Sequence, residues 1–166
     1  GNVYVADSFN HTIRKIVVST KVVTTLAGSA GLSGTTDGNG NLARFYDPFA
    51  VGIDGNGNLF VADTDNHSVR RLVLATNAVT TLAGNGTLGI SDGTGQAARF
   101  NRPSGVAVDG AGNVYLPDSD NHTVRKVVPA SATVTTFAGA TSQLGGTDGP
   151  AMTSRWNAPG GAVFDG

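Results

Sequence analysis

The first side chains with catalytic or metal-binding chemistry stand close together near residue 7. Asp7, Asn10 and His11 follow a short apolar stretch, and an aspartate beside a histidine can ligate a metal ion or transfer a proton. The same residue types return as Asp63, Asn66 and His67 and as Asp118, Asn121 and His122. Equivalent residues of a repeat come together only if they point towards a common axis. An Asx-type turn, with the histidine packed or hydrogen-bonded against a neighbour, is therefore the favoured interpretation.

These sets belong to a repeat that extends over the chain. The sequences GNVYVADSFNHTIRK, GNLFVADTDNHSVRR and GNVYLPDSDNHTVRK begin at Gly1, Gly57 and Gly112. Other blocks keep the same phase in each copy, among them those ending in Ala-Gly and those beginning with Asp-Gly. Self-similarity at a fixed period is the signature of a repeat architecture. We expect one domain over 1–166, with repeats of about 1–56, 57–111 and 112–166.

Each repeat carries four short strand patterns separated by turn residues. Val, Thr and Gly are abundant and all twelve acidic residues are Asp, which favours turns over helices. Apolar residues fall on both sides of the strands, as in a sheet that is buried on both faces. Four antiparallel strands per repeat, in stacked sheets, predict an all-β fold of β-propeller blades.

Residues 54–58, DGNGN, resemble a calcium loop, but a hairpin turn explains them better because the distal glutamate ligand is missing.

An unusually long connection joins the fourth strand of one repeat to the first strand of the next. Within it, NLARF and QAARF are expected to form one helical turn, capped by Asp37 or Asp92. An Asp and an Arg keep a constant spacing there, as Asp37 and Arg44, Asp92 and Arg99, and Asp148 and Arg155. Such a pair could recognise an anion, but a salt bridge that holds the long loop is favoured. Its hydrophobic anchor would be Phe45, Phe100 or Trp156.

Composition excludes several classes of function. Without cysteine, the chain has no disulfide, thiolate metal site or thiol catalysis. A net charge of −1 gives no indication of nucleic-acid binding, and no nucleic-acid partner is expected. No apolar run is long enough to span a membrane, and no signal peptide is visible. No cofactor is predicted. The sequence does not fix the compartment, although it slightly favours an extracellular or periplasmic bacterial location.

The combined motif resembles a known repeat family. The pattern Pro-x-Gly-Val-Ala-Val-Asp…Gly-Asn-x-Tyr…Asp-x-x-Asn-His-x-[Ile/Val]-Arg-Lys is similar to the NHL repeat, and the Ala-Gly…Asp-Gly…Ala-Arg-Phe insert is similar to that of bacterial members. The resemblance covers essentially the whole chain, three times over. It implies a β-propeller, commonly six-bladed. It does not imply one activity, since members include protein- and RNA-binding modules and related propellers include lyases and hydrolases.

Three repeats are too few for a usual propeller ring, which has four to eight blades. The first repeat begins at its second strand, and residues 160–165 read as a first strand with nothing after it to pair with. We therefore expect a C2 homodimer with a six-bladed ring, in which residues 160–165 of one copy complete the blade built by residues 1–28 of the other. The alternative is a longer parent chain that supplies the remaining blades.

In a four-stranded antiparallel blade, the turn between strands two and three and the long connection leave the sheet at the same end. We call this end the loop face. Loops on a rigid scaffold are common binding sites. Phe9 stands where the other repeats have Asp65 and Asp120, and an exposed Phe9 or Leu88 would suit a protein or peptide partner. The candidate binding residues are Phe9, His11, Arg44, Tyr46, Asp65, His67, Leu88, Arg99, Asp120, His122 and Arg155.

Three functions are consistent with the sequence. The favoured one is a non-enzymatic NHL-type interaction or scaffold module that binds a protein or other ligand through the loop face. The second is part of an enzyme, a metal-dependent lyase or hydrolase with a metal in the central channel near Asp54, Asp109 and Asp165. The third is a designed or excised propeller fragment with no activity of its own.

Overall fold

The computed structural model of the chain describes residues 1–141 and 143–166, and it is built from short antiparallel strands. The strands form three successive sheets, one for each repeat, so the predicted all-β fold is confirmed. The helical segments in these ranges are 3-10 turns of three residues each. None of the described helices is long and apolar enough to cross a membrane.

The first sheet has three strands, β1 (Asn2–Asp7), β2 (Thr12–Val17) and β3 (Val22–Gly28), in that order. Asp7 pairs with Thr12, and Thr12 pairs in turn with Gly28. The turn after β1 and the long connection after β3 therefore leave the sheet at the same end. This register produces the loop face that the sequence predicts.

The second sheet has the four predicted strands and one more. Its strands are β4 (Gly38–Asn39), β5 (Pro48–Ile53), β6 (Asn58–Asp63), β7 (Ser68–Val73) and β8 (Ala78–Ala83). They are arranged in the order β4-β8-β7-β6-β5. The inner strand β5 follows the long connection, and the outermost position is taken by β4 from within that connection.

The third sheet repeats this arrangement. Its strands are β9 (Gly93–Thr94), β10 (Ala107–Val108), β11 (Val114–Asp118), β12 (Thr123–Val128) and β13 (Thr133–Ala138). The order is β10-β11-β12-β13-β9. The inner strand is shorter than in the second sheet, since β10 has two residues and β5 has six.

The fifth strand of each complete sheet was not predicted from the sequence. Gly38 pairs with Val79, and Gly93 pairs with Val134. An outer strand has unpaired N–H and C=O groups along one side, and β4 and β9 satisfy part of them. The long connection thus closes the outer edge of the sheet that follows it before it starts the inner strand of that same sheet.

The predicted helical turn in the long connection is confirmed, but its predicted cap is wrong. Gly40–Leu42 and Gly95–Ala97 form 3-10 turns, and neither has a side-chain cap. Asp37 does not reach this turn, because its carboxylate accepts hydrogen bonds from Thr81 and from Arg70 of the sheet.

The core lies between consecutive sheets. Leu59 and Val61 of β6 pack in the cluster shared with the first sheet, whereas Phe60 of the same strand packs in the cluster shared with the third sheet. Alternate residues of a strand point to opposite faces, so the second sheet is buried on both faces, as predicted. Phe45 and Phe100, at the ends of the two long connections, each fill one of these clusters.

The segment DGNGN at 54–58 is a hairpin turn, as predicted. The Asp54 carboxylate accepts hydrogen bonds from the backbone N–H groups of Asn56 and Asn58, both at 2.8 Å. Burial by itself would raise the pKa of Asp54, but the hydrogen bonds from Asn58 and Asn56 outweigh it and hold that pKa below its usual value. The Asp54 carboxylate therefore stabilises the hairpin turn in which it lies.

The segment after the third long connection lies where the next inner strand would start. Ser119 Oγ donates to the Pro159 carbonyl at 2.8 Å, just as Thr64 Oγ1 donates to Pro103 and Ser8 Oγ to Pro48, both at 2.7 Å. The expectation that residues 160–165 complete a blade of another copy stays a prediction.

Candidate binding face

The three histidines of the repeat each bind the end of the long connection that follows their own sheet. His11 Nδ1 accepts a hydrogen bond from the Asp47 N–H, His67 Nδ1 from Arg102 and His122 Nδ1 from Ala158, each at 3.2 Å. Each donor residue has a positive φ, between 48° and 54°, which turns its N–H towards the histidine. The contacts agree with the structural interpretation of the Asn-His turns. Within 1–141 and 143–166, no three His or Asp residues lie close enough to hold a metal ion.

A fully buried arginine completes the turn network of the second sheet. Arg70 Nη1 lies 2.6 Å from the Asp63 carboxylate and donates to the Arg44 carbonyl at 2.9 Å. Its Nη2 lies 2.7 Å from the Asp37 carboxylate and donates to the Thr36 carbonyl at 3.2 Å. The guanidinium thus holds the turn of its own sheet and two points of the preceding long connection. Burial raises the pKa of Asp63, against the opposing effect of Arg70.

The third sheet contains the same network. Arg125 pairs with Asp118 at 2.9 Å and with Asp92 at 2.7 Å, and it donates to the Arg99 carbonyl at 2.9 Å. Its guanidinium carbon lies 5.3 Å from the centre of the Phe100 ring, as does that of Arg70 from Phe45. Burial raises the pKa of Asp118 as well. Cation–π contact and paired carboxylates together compensate the buried charge.

Sequence reasoning missed these arginines. A usable signal was present, because an Arg follows the turn Asp at the same spacing in every repeat, as Asp7 and Arg14, Asp63 and Arg70, and Asp118 and Arg125. In the first sheet the pair is 3.2 Å apart and partly exposed. The four-residue set Asp–Asn–His–Arg is called the turn set below.

The predicted salt bridges within the long connections are wrong. Arg44 does not pair with Asp37; its Nη1 donates to the carbonyls of Asn41 and Ala43, at 2.5 and 2.7 Å. Arg99 makes the equivalent bonds to Gln96 and Ala98. The reason is competition, since the buried arginines of β7 and β12 take the carboxylates of Asp37 and Asp92. No ion pair joins Asp148 to Arg155 in the described part of the chain.

The predicted hydrophobic anchors are confirmed for two of three repeats. Phe45 and Phe100 are fully buried. Trp156, at the equivalent position, is 40% exposed. Phe45 and Phe100 are therefore fully buried because a described sheet follows each of their connections, whereas no described sheet follows Trp156.

The remaining candidates on the loop face differ in exposure. The side chain of Phe9 is 90% exposed and that of Leu88 is 62% exposed. Tyr46 is 44% exposed, and its ring meets the His11 ring edge-on with 5.6 Å between centroids. Asp65 is half-buried and pairs at 3.2 Å with Arg102, which lies in the long connection to the third sheet. The loop face thus brings together His11 and Tyr46 directly, while Leu88 lies on the following long connection.

The opposite end of the sheets carries the hairpin turns. Asp109 accepts hydrogen bonds from the N–H and side chain of Asn113 at 2.8 Å, and from the Tyr115 hydroxyl at 3.2 Å. The bonds from Asn113 lower the pKa of Asp109, against a smaller opposing effect of burial. Both Asp54 and Asp109 are therefore turn residues, and their oxygens are already bound by N–H and O–H donors.

Comparison with known proteins agrees with this architecture. The NHL repeat family model matches residues 100–127. Two relatives are the Arabidopsis thaliana protein SUPPRESSOR OF QUENCHING 1, chloroplastic, 31% identical over 75% of this chain, and the Bos taurus NHL repeat-containing protein 2, 33% identical over 92% of this chain. The chain contains the NHL repeat, and its relatives include NHL repeat-containing proteins. It spans 12% and 22% of the length of these two relatives.

Solved structures share the fold of this NHL-repeat chain. An auxiliary nutrient binding protein from Bacteroides thetaiotaomicron matches 99% of it with a TM-score of 0.74 at 22% identity, and the match covers 40% of that protein. Virginiamycin B lyase from Staphylococcus aureus matches 82% with a TM-score of 0.57 at 9% identity, over 37% of that protein. At these identities the likeness concerns the β-propeller-like fold alone.

Proposed function

We propose that this NHL-repeat chain is a non-enzymatic interaction module that binds a protein or other ligand through its loop face. One observation carries the proposal. The repeated residues with catalytic potential are already engaged in contacts within and between sheets, whereas exposed side chains of the loop face, such as Phe9 and Tyr46, change from repeat to repeat. Repeated positions thus serve the scaffold, and varied exposed positions are free to select a partner.

Photo-crosslinking tests this assignment of faces. A photoreactive phenylalanine analogue is placed at position 88 on the loop face or at position 56 on the hairpin face, and each variant is irradiated in extract of the source cells. The proposal expects a discrete protein adduct from position 88 and none from position 56. An adduct from position 56 alone would contradict it. Equal unfolding midpoints of the two variants serve as the control.

The enzyme hypothesis is tested by metal analysis of the purified chain. Asp54 and Asp109 hold their own hairpins, which supports a structural role for these carboxylates. We expect a metal content well below one equivalent by mass spectrometry. A stoichiometric metal that disappears in the Asp109→Asn variant would instead support a channel site and overturn the non-enzymatic assignment.

We also propose that the open face of the first sheet is covered by a further blade, supplied by a second copy of the chain in a C2 ring. Val3 and Val5 are exposed there, whereas Leu59 and Val61, at the equivalent positions of the second sheet, are buried by the preceding sheet. Light scattering should give twice the chain mass of 16.7 kDa, and Val5→Asp should shift it towards the monomer. A monomeric wild type would assign the missing blades to a longer parent chain.

A further inference from the structure

The loop-face junctions between repeats differ in character. We call the junction of the first and second sheets the first seam, that of the second and third sheets the second seam, and that of the third sheet with the segment after it the third seam. Three equivalent positions hold Phe9, Tyr46 and Asp47 at the first seam, Asp65, Asn101 and Arg102 at the second, and Asp120, Asn157 and Ala158 at the third. The first seam therefore has two aromatic rings where the others have polar residues, and a carboxylate where the others have an arginine or an alanine.

The aromatic residues of the first seam face solvent. Phe9 is 90% and Tyr46 44% exposed. The position of Phe9 is also exposed at the third seam, where Asp120 occupies it. The exposure of this position is therefore a property of the turn tip. Large exposed aromatic side chains that cluster on one surface mark interaction sites. We call Phe9, Tyr46 and Asp47 the first-seam patch.

Contacts across the seam hold the patch together. Ser8 Oγ, beside Phe9, donates to the Pro48 carbonyl at 2.7 Å, and His11 Nδ1 accepts the Asp47 N–H at 3.2 Å. At the second seam the side chains that replace Phe9 and Asp47 touch, since the Asp65 carboxylate lies 3.2 Å from the Arg102 guanidinium. Phe9 and Asp47 therefore hold the two positions whose side chains meet at the second seam.

Asp47 carries a negative charge that the described chain leaves uncompensated. Its Oδ1 is shielded from solvent and has no hydrogen-bond partner in residues 1–141 and 143–166. No Lys or Arg of these residues lies within 4 Å of its carboxylate. A carboxylate beside aromatic faces favours a cation, because the ion pair and the cation–π attraction act together.

We propose that the first-seam patch binds an arginine or lysine side chain of an extended basic segment of a protein partner. The inference rests on the proposed loop-face binding and names its chemistry. The cationic head donates to the Asp47 carboxylate, while its methylene stem and any apolar neighbours lie on Phe9 and Tyr46. A neutral or acidic segment would leave the carboxylate unpaired or repelled.

A peptide titration tests the proposal. The probe is acetyl-Gly-Leu-Arg-Leu-Gly-amide, with matched peptides in which Gln or Glu replaces Arg. Backbone ¹⁵N NMR shifts of the full chain are followed at each addition. We expect saturable changes at residues 8–11 and 46–49 with the Arg peptide, and binding about tenfold weaker with the Gln peptide.

Residues borrowed from the other seams provide variants that the fold already accepts. Tyr46→Asn introduces the residue of both other seams, and Asp47→Ala introduces that of the third. Each should weaken binding of the Arg peptide by about tenfold, whereas the control Asp148→Ala, which removes an exposed carboxylate away from the first seam, should leave it unchanged. Well-dispersed spectra of every variant confirm that it is folded.

Different negative results of the titration would contradict either the basic ligand alone or loop-face binding as well. Equal binding of the Glu and Arg peptides at the loop face, or unchanged affinity in Asp47→Ala, would overturn the basic ligand and leave loop-face binding in place. No shift with any of the three peptides would overturn the basic ligand too. Shifts centred on the hairpin turns at 54–57 and 109–112 would overturn both.

Discussion

The first and second sheets carry the same turn set in different surroundings. In the second sheet Asp63 and Arg70 are fully buried, because residues of the preceding long connection pack over the arginine. In the first sheet Asp7 and Arg14 lie 3.2 Å apart with both side chains partly exposed, and no described segment packs over them in the same way. Identical residues at identical spacing thus form a buried clamp in one place and a solvated pair in the other. The covering loop decides which of the two results.

The largest expected effect comes from removing the buried guanidinium. Arg70→Met leaves the Asp63 carboxylate buried without its counter-ion, and loss of one partner of a buried pair costs about 3–5 kcal/mol. The same change at Arg14 removes an exposed pair and should cost about 0–1 kcal/mol. Urea unfolding followed by circular dichroism measures both. Similar losses in the two variants would contradict the role of burial.

The aromatic anchors extend the comparison to the ends of the long connections. Phe45→Ala removes a fully buried ring between two sheets and should cost about 3 kcal/mol. Trp156→Ala removes an equivalent side chain that is 40% exposed, so its loss should be clearly smaller. Thermal unfolding of the two variants gives the ranking, and a larger effect at Trp156 would show that the third connection is packed differently.

The histidine contacts are expected to have a smaller effect. His67→Phe keeps a flat ring but removes the acceptor for the Arg102 N–H, and a lost hydrogen bond costs about 1 kcal/mol. Hydrogen exchange of the Arg102 amide should become faster in this variant, while that of Asp47, held by His11, should not change. Unchanged exchange at Arg102 would show that the histidine does not tie the sheets together.

The smallest effect concerns the partly exposed hairpin carboxylates and appears in the pH dependence of stability. The pKa of Asp54 is lowered in the folded chain, so its ionised form contributes stability above the unfolded pKa of about 3.9. This contribution is lost as the pH falls through the folded pKa. Asp54→Asn should therefore lose less stability than the wild type between pH ~5 and pH ~3. Parallel curves for the two proteins would contradict a hydrogen-bonded carboxylate at this turn.

The local part of the fold could be predicted from the sequence. Asp-Gly and Asn-Gly turns, apolar residues at both parities of a strand and a threefold repeat were enough for the four strands and the doubly buried sheet. The fifth strand could not be predicted, because Gly38 and Asn39 carry no strand pattern and pair only through their position beside β8.

The site could be predicted only in part, for a related reason. Asp37 was assigned to Arg44 from local spacing, but its partner Arg70 is 33 residues further along and reaches it only once the sheet has formed. The sequence alone indicated two residues of the first-seam patch, Phe9 and Tyr46, as candidate binding residues. Asp47 could be added to it only when the contacts across the seam showed which positions are equivalent.

The central claim is that the turn set is a structural clamp whose strength depends on burial. A double-mutant cycle on Asp63→Asn and Arg70→Met, measured by urea unfolding beside the same cycle on Asp7 and Arg14, tests it most directly. The account predicts a coupling free energy of about 2–3 kcal/mol for the buried pair and below about 0.5 kcal/mol for the exposed pair. Equal coupling at both sites, or none at the buried pair, would contradict it.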